Sequence, residues 1–263
     1  MSKRKIRLPL SEYTPWSPSK ASKATQCPLS FKFNYIDKLP RARAGEAAIV
    51  GTAVHSVQEF VLQGTAIDTA LDRAVKESRT PMTSVEVEKT ASFKGQVLDF
   101  AKRIAEFDKK HPIKQMYLEQ KWAVDENFKS VPYTSPKAVM RGIVDLALEL
   151  ESGHVVIIDH KSGKKKGIRS YGEQLDIYKV LGLAAFPDAK QIQCAIHFLV
   201  DGTIMWDQPN SPSRIREILH PWLRRYLLGC EDGLVGYTER PSFLCGWCDH
   251  NEHCDDYQSK KAK

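Results

Sequence analysis

Two aspartates and a lysine stand where buried strands would place further branched aliphatic residues: Asp145 in "GIVDLALEL", and Asp159 with Lys161 in "HVVIIDHKSGK". Side chains alternate across a strand, so Asp159 and Lys161 project to one face and His160 to the other. In the preceding run Val144, Leu146, Leu148 and Leu150 share a wholly apolar face, and Asp145 lies opposite, with Ile143, Ala147 and Glu149. A three-residue loop, Glu151-Ser152-Gly153, places glycine where such loops need the left-handed region. It pairs Leu150 with His154 and, counted back along both strands, sets Asp145 opposite Asp159. A two-residue loop, Ser152-Gly153, would instead pair Asp145 with His160 and send the carboxylates to different faces. Carboxylates at facing pleat positions repel each other unless a cation lies between them. Oxygen ligands favour Mg²⁺ or Mn²⁺, and a neighbouring lysine can stabilise the charge that develops on a phosphate under attack. The competing account is a solvated hairpin edge whose charges keep neighbours from pairing. "VVII" speaks against it, because an unbroken apolar run suits a central strand.

The elements around this hairpin follow from periodicity and punctuation. Residues 1–20, rich in Pro, Ser and Lys, suggest a flexible basic arm, and "SKATQCPLSFKFNYI" begins a helical segment. "GEAAIVGTAVHSVQEFVLQG" predicts a helix over 46–62 that carries His55; further helices are expected over 67–80 and 84–110. "QMYLEQKWAV" is expected as a strand. "GEQLDIYKVLGLAAF" predicts a helix over 172–186 that ends before Pro187. "KQIQCAIHFLV" and "GTIMWDQ" suggest a hairpin turning at Asp201-Gly202, and a helix over 212–229 leads into a cysteine-rich end. The organisation expected is a single domain over 1–263. It comprises the arm, a helical region over 21–115, a sheet core over 116–210, a helix and cysteine cluster over 211–257, and a basic tail over 258–263.

The 263 residues carry 39 Lys and Arg against 32 Asp and Glu, a formal charge of +7 that favours a polyanionic partner without proving one. No apolar run approaches the length of a membrane span, so the expected location is cytoplasmic. In that compartment the 6 cysteines are expected as free thiols or metal ligands rather than disulfides.

"GIVDLAL", "VVIIDHKSGK" and "QLDIY", in that order, resemble the PD-(D/E)xK nuclease superfamily, in particular its RecB-like branch, which includes the CRISPR-adaptation nucleases. That pattern has a G-x-x-D strand, a D/E-x-K strand and a Q-x-x-x-Y helix, matched by Gly142 to Asp145, Asp159 to Lys161, and Gln174 with Tyr178. "GTAVHSVQEF" is similar to the branch's upstream histidine helix. The resemblance implies an α/β fold with a restriction-endonuclease-like core, a mixed central sheet flanked by helices, together with a helical N-terminal half and a C-terminal cysteine-rich extension. It also implies that His55, Asp145 and Asp159 ligate Mg²⁺ or Mn²⁺, that the His160 backbone carbonyl completes the site, and that Lys161 is catalytic. Glu119 occupies the place of a carboxylate that lies near the metals in some relatives. On periodicity alone His55 would be a core histidine; its place in the motif order favours the ligand.

Gln174 and Tyr178, one helical turn apart, could touch a phosphate or stack a base at the site entrance. Lys164, Lys165, Lys166 and Arg169 follow the D-x-K strand and are expected to hold a nucleic-acid backbone.

"CGWCDHNEHC" supplies Cys245, Cys248 and Cys254, one thiolate short of a tetrahedral set. Spacing alone favours Zn²⁺, with His250 and His253 inside the run. Cys27, followed by a proline, resembles the N-terminal cysteine of iron-sulfur nucleases in the same branch, which implies a [4Fe-4S] cluster on Cys27, Cys245, Cys248 and Cys254. Cys194 and Cys230 are expected as buried thiols.

The function expected is a metal-dependent DNA exonuclease acting on single strands or duplex ends in recombination, repair or phage DNA processing, in a bacterial or phage-infected cell. The alternatives are a CRISPR-adaptation-type end-processing factor within a complex, and a non-catalytic module that binds DNA or a partner protein. No G-x-x-x-x-G-K-[ST] loop is present, so ATP-driven unwinding is not expected of this chain.

Overall fold

The computed structural model of the protein describes residues 6–40 and 43–261; the first five residues of the basic arm and the last two of the tail lie outside them. In chain order the described helices and strands are α1 (Pro18–Gln26), α2 (Pro28–Tyr35), α3 (Glu46–Leu62), α4 (Ile67–Lys76), α5 (Ser84–Ala91), α6 (Lys94–Lys110), β1 (Ile113–Val124), β2 (Met140–Leu150), β3 (His154–Lys161), α7 (Gly172–Ala185), β4 (Gln191–Phe198), β5 (Thr203–Trp206), α8 (Pro212–Arg214), α9 (His220–Asp232) and α10 (Asp255–Lys261). The chain folds as two compact units, one made of 44–122 and 142–219, the other of 1–43, 123–141 and 220–263.

The first unit is built on a 5-stranded sheet in the order β1-β2-β3-β4-β5. β2 and β3 are antiparallel, β3 and β4 parallel across α7, and β4 and β5 antiparallel, so the sheet is mixed. β3 is central and buried from Val155 to His160, the environment that "VVII" demands. One sheet face packs Leu146, Leu148, Leu150, Val156 and Ile158 on Phe100 and Ile104 of α6. A second cluster joins Val50, Val54, Val57 and Phe60 of α3 to Ala70, Leu71 and Ala74 of α4. On the other sheet face α7 lies close to the strands. A Cβ at Gly142 would come 2.9 Å from Leu181 Cδ1 and 3.3 Å from Tyr178 Cε1, which accounts for glycine as the first residue of the G-x-x-D strand.

Several elements differ from the periodicity. The helix expected over 84–110 is two helices. Thr83 caps α5 with a reciprocal capping box to Glu86, the helix ends at Ala91, and Phe93 turns its ring into the α3–α4 cluster. The helix over 67–80 stops at Lys76. The helix over 212–229 contains a π-helical turn at Ile215–Leu219. Pro221 follows that turn with no N–H to give and a ring that crowds the carbonyl of the preceding turn, so the backbone widens there.

In the second unit, Trp16 and Phe31 are fully buried with ring centroids 5.9 Å apart. Trp16 Nε1 donates to Glu231 Oε1 (3.3 Å), and its backbone pairs with the segment at Val139–Arg141. Within the expected arm, Leu8 and Trp16 are therefore buried, while Leu10 is exposed. α1 opens at Pro18, where Ser17 accepts a hydrogen bond from the Lys20 N–H; Pro28 at the head of α2 forces the break at Cys27. No helix among the described residues is long and apolar enough to cross a membrane.

Candidate functional site

The β2–β3 hairpin has the register that the three-residue loop predicts: Leu146 pairs with Ile158 and Leu148 with Val156, and Asp145 and Asp159 are the next residues on their strands beyond the last of these pairs. Gly153 has φ 83°, and its N–H donates to Leu150 O (2.8 Å), the left-handed position a three-residue loop requires. Asp145 Oδ2 accepts the His160 backbone N–H at 2.7 Å and lies 3.5 Å from His55 Nδ1. Burial alone would lower the His55 pKa, but the Asp145 carboxylate, with Asp159 and Glu119 behind it, holds the imidazole above its usual value. Burial likewise opposes ionisation of Asp145, yet His55 and the His160 N–H outweigh it and keep the carboxyl below its usual range.

His55, Glu119 and Asp145 form a group whose ligand atoms all lie within 4.8 Å of one another, a set able to hold a metal ion. Glu119 sits in mid-strand with φ 48°, a left-handed conformation that a non-glycine residue holds only at a cost of about 1–2 kcal/mol. That backbone turns its side chain toward α3. Burial first, then the charges of Asp145 and Glu59, push the Glu119 carboxyl up to about 7. Glu59 is a residue that the sequence reading passed over; it stands one turn after His55 on the same helix, so the spacing itself was the signal.

Asp159, 3% exposed, does not join that trio. Its Oδ2 pairs with Lys161 Nζ at 2.7 Å, and its Oδ1 accepts from Gln174 Nε2 at 2.8 Å and lies 3.2 Å from the Tyr178 hydroxyl. Tyr178 also reaches Ile143 O at 3.0 Å, so its single proton serves one acceptor at a time. Burial, then the Asp145 charge, raise Asp159 to about 6 against the pull of Lys161. Lys161 further donates to Gln174 Oε1 (3.3 Å) and stands 5.6 Å over the Tyr171 ring. Gln174 and Tyr178 are therefore turned onto Asp159 rather than toward an entrance; Tyr178 is 4% exposed.

His160 projects to the opposite sheet face, as alternation requires. Its Nδ1 lies 2.9 Å from His197 Nδ1, so one ring donates to the other, and burial keeps both neutral, at about 3 for His160 and about 4 for His197. His197 escaped the sequence reading because parallel pairing across α7 is not visible in one strand's pattern. Lys164, Lys165, Lys166 and Arg169 are all exposed, and Lys165 pairs with Asp201 (2.8 Å).

In the other unit, Cys27, Cys245, Cys248 and Cys254 line one cavity of about 220 Å³, with His250 among the lining residues. The Ser242 N–H donates to Cys245 Sγ (3.3 Å), and Ser30 Oγ lies 3.6 Å from Cys248 Sγ. Cys194 and Cys230 are buried elsewhere, Cys194 against Leu175 O at 3.6 Å.

A mixed sheet flanked by helices, with an acidic pair and a lysine on adjacent central strands, defines a restriction-endonuclease-like nuclease fold. Residues 15–255 match the family model of the PD-(D/E)XK nuclease superfamily, and the chain belongs to that superfamily. Among solved structures the chain is similar to a Eubacterium rectale protein whose description as an exonuclease is itself provisional, at 13% identity and TM-score 0.49, covering 96% of this chain and 93% of that one. It is also similar to the protein described as SSO0001, at 14% identity and TM-score 0.36, covering 88% and 95%. No curated protein matches this chain.

The raised Glu119 carboxyl has a consequence for the metal-free protein. A carboxyl lifted above its usual value stabilises the fold while protonated, and that stability is lost as pH rises through the folded value. In EDTA the thermal midpoint is expected to fall between about pH 5 and about pH 8, and Glu119→Gln is expected to flatten the fall. Equal slopes for both proteins would show that Glu119 does not carry the effect.

Proposed function

We propose that this chain is a divalent-metal-dependent nuclease of the RecB-like branch that hydrolyses phosphodiester bonds of DNA as an exonuclease on single strands or duplex ends. The observation that carries the reading is the group of His55, Glu119 and Asp145, able to hold a metal ion, with the Asp159–Lys161 ion pair on the neighbouring strand. This donor set fits a hard cation, being two carboxylates and an imidazole within ligand distance plus a third carboxylate one pleat away. His55, Glu119 and Asp145 would hold Mg²⁺ or Mn²⁺, with Asp159 and the His160 carbonyl as the adjoining oxygens. Bound there, the ion would polarise the scissile phosphate and neutralise its charge. Lys161 presents its ammonium from the same strand, held by Asp159 and Gln174, where it can stabilise the charge developing on phosphorus-bound oxygens. Gln174 and Tyr178 fix the Asp159 carboxylate, and a ligand so oriented loses less freedom when the cation arrives. The exposed Lys164, Lys166 and Arg169 supply backbone contacts.

Incubating the protein with end-labelled single-stranded DNA tests this. Cleavage in Mn²⁺ that stops in EDTA is expected; binding without metal-dependent cleavage would favour a non-catalytic binding module.

The cysteine cavity is proposed to hold a [4Fe-4S] cluster on Cys27, Cys245, Cys248 and Cys254. The four cysteines line one cavity, a placement that supports a group shared by all four. Such a cluster would tie Cys27 to the C-terminal run within one unit. Protein purified without oxygen is expected to be brown, and Cys27→Ala is expected to lose both colour and iron. A colourless zinc protein would overturn the cluster.

A further inference from the structure

A cavity of about 420 Å³ lies between the first turns of α7, the segment after β5 and the π-helical turn that precedes α9. Its size is within the range of about 300–1,000 Å³ typical of small-molecule pockets. It shares no lining residue with the His55–Glu119–Asp145 group.

Arg169 and Arg214 line it, both exposed, and neither has an ion-pair partner among the described residues. Two guanidinium groups on one cavity match a phosphate, which accepts their paired N–H donors. Asn210 lines the same cavity and is 6% exposed. Its backbone pairs with Ile192 at 2.8 and 2.9 Å, but its carboxamide makes no hydrogen bond to another described residue. That carboxamide offers a donor and an acceptor side by side, the complement of a nucleobase edge.

Lys179, 2% exposed, is held by Asp207 and lies 3.5 Å from Asp176; its ammonium offsets one of the two carboxylates that line the cavity, and with Arg169 and Arg214 the lining keeps a net positive charge. Leu175, Ile218 and Leu219 supply apolar wall for a planar ring.

We propose that this cavity binds a nucleoside monophosphate unit, with its phosphate on Arg169 and Arg214 and its base edge on Asn210. The unit is either a free mononucleotide, the product of trimming one residue at a time, or the terminal nucleotide of a strand. The choice of a nucleotide over other anions rests on the nuclease reading. The test does not, because it is made in EDTA without cleavage, so a failed cleavage assay and a failed binding assay are separate results.

Calorimetric titration of the full chain in EDTA with dAMP, deoxyadenosine and inorganic phosphate, in separate runs, measures the site. dAMP is expected to bind more tightly than either fragment. Arg214→Ala and Ile218→Trp, both at exposed positions, are each expected to weaken it by about tenfold. Asn210→Ala is expected to erase the advantage of dAMP over phosphate, with a melting curve confirming that the variant folds. A 5′-phosphorylated oligonucleotide that displaces dAMP assigns the site to a strand end, and one that does not assigns it to the free nucleotide; either result supports the site. Equal binding of phosphate and dAMP by the native protein, or dAMP binding unchanged in both Arg214→Ala and Ile218→Trp, overturns it.

Discussion

Lys161→Ala is expected to lower metal-dependent DNA cleavage by about a thousandfold or more while leaving the fold intact. The side chain is 29% exposed, and its contacts are to the site itself: Asp159 at 2.7 Å, Gln174 at 3.3 Å and the Tyr171 ring at 5.6 Å. No apolar core contact is removed, so the melting temperature should shift little. The loss falls on the step in which charge builds on the phosphate, because a point charge placed by the same strand as a ligand acts there without reorganisation. A second effect adds to it. Asp159 would keep only Gln174 and Tyr178 as partners in a buried position already raised to about 6, and would take up a proton more readily. Lys161→Arg should not restore the rate, since a planar fork does not replace a compact ammonium. Asp145→Ala is expected to be equally inactive, because it removes the carboxylate shared by His55 and the His160 N–H. Substantial cleavage by purified Lys161→Ala would contradict the role given to the lysine.

Phe100→Ala is expected to cost about 3–5 kcal/mol of stability, the range for truncating a fully buried aromatic side chain. Phe100 is 0% exposed, stacks on His197 at 4.1 Å and meets the edge of His160 at 4.9 Å. It also packs on Leu146, Leu148 and Ile158, the apolar side of the strands that carry the acidic pair. Removing the ring leaves a cavity beside two neutral, hydrogen-bonded imidazoles, where water can enter and the pair can take up a proton more easily. Urea denaturation should show a lower midpoint with an unchanged slope, and Phe100→Leu should recover part of the loss. A loss below about 1 kcal/mol would mean that the site collapses around the truncation.

The hairpin was legible because strand alternation and one loop glycine leave a single register that puts the apolar residues on one face. Gly153 in the left-handed region and the Leu146–Ile158 pair are that register realised. Helix α3 was legible to the residue, since its apolar spacing is bounded by glycines. The break between α5 and α6 was not, because Gly95 sits inside the first turn of α6 rather than at the break and the helical period runs through Phe93. Packing of that ring on α3 and α4 overrides local propensity. The partners of Asp159 were also hidden. Gln174 and Tyr178 were legible as residues sharing a helix face, but not that the face closes over β3 and turns both polar ends inward, which depends on the close approach at Gly142. Nor could sequence separate Glu119 from its strand neighbours, because its aim comes from a left-handed backbone in mid-strand.

Anomalous diffraction from a crystal of the protein soaked in Mn²⁺ locates the ion itself. A manganese peak is expected within coordination distance of His55 and Asp145, with Glu119 or Asp159 completing the oxygen ligands. A peak bound only elsewhere, with the Asp145 and Asp159 carboxylates unmoved and sharing no ion, would contradict that placement.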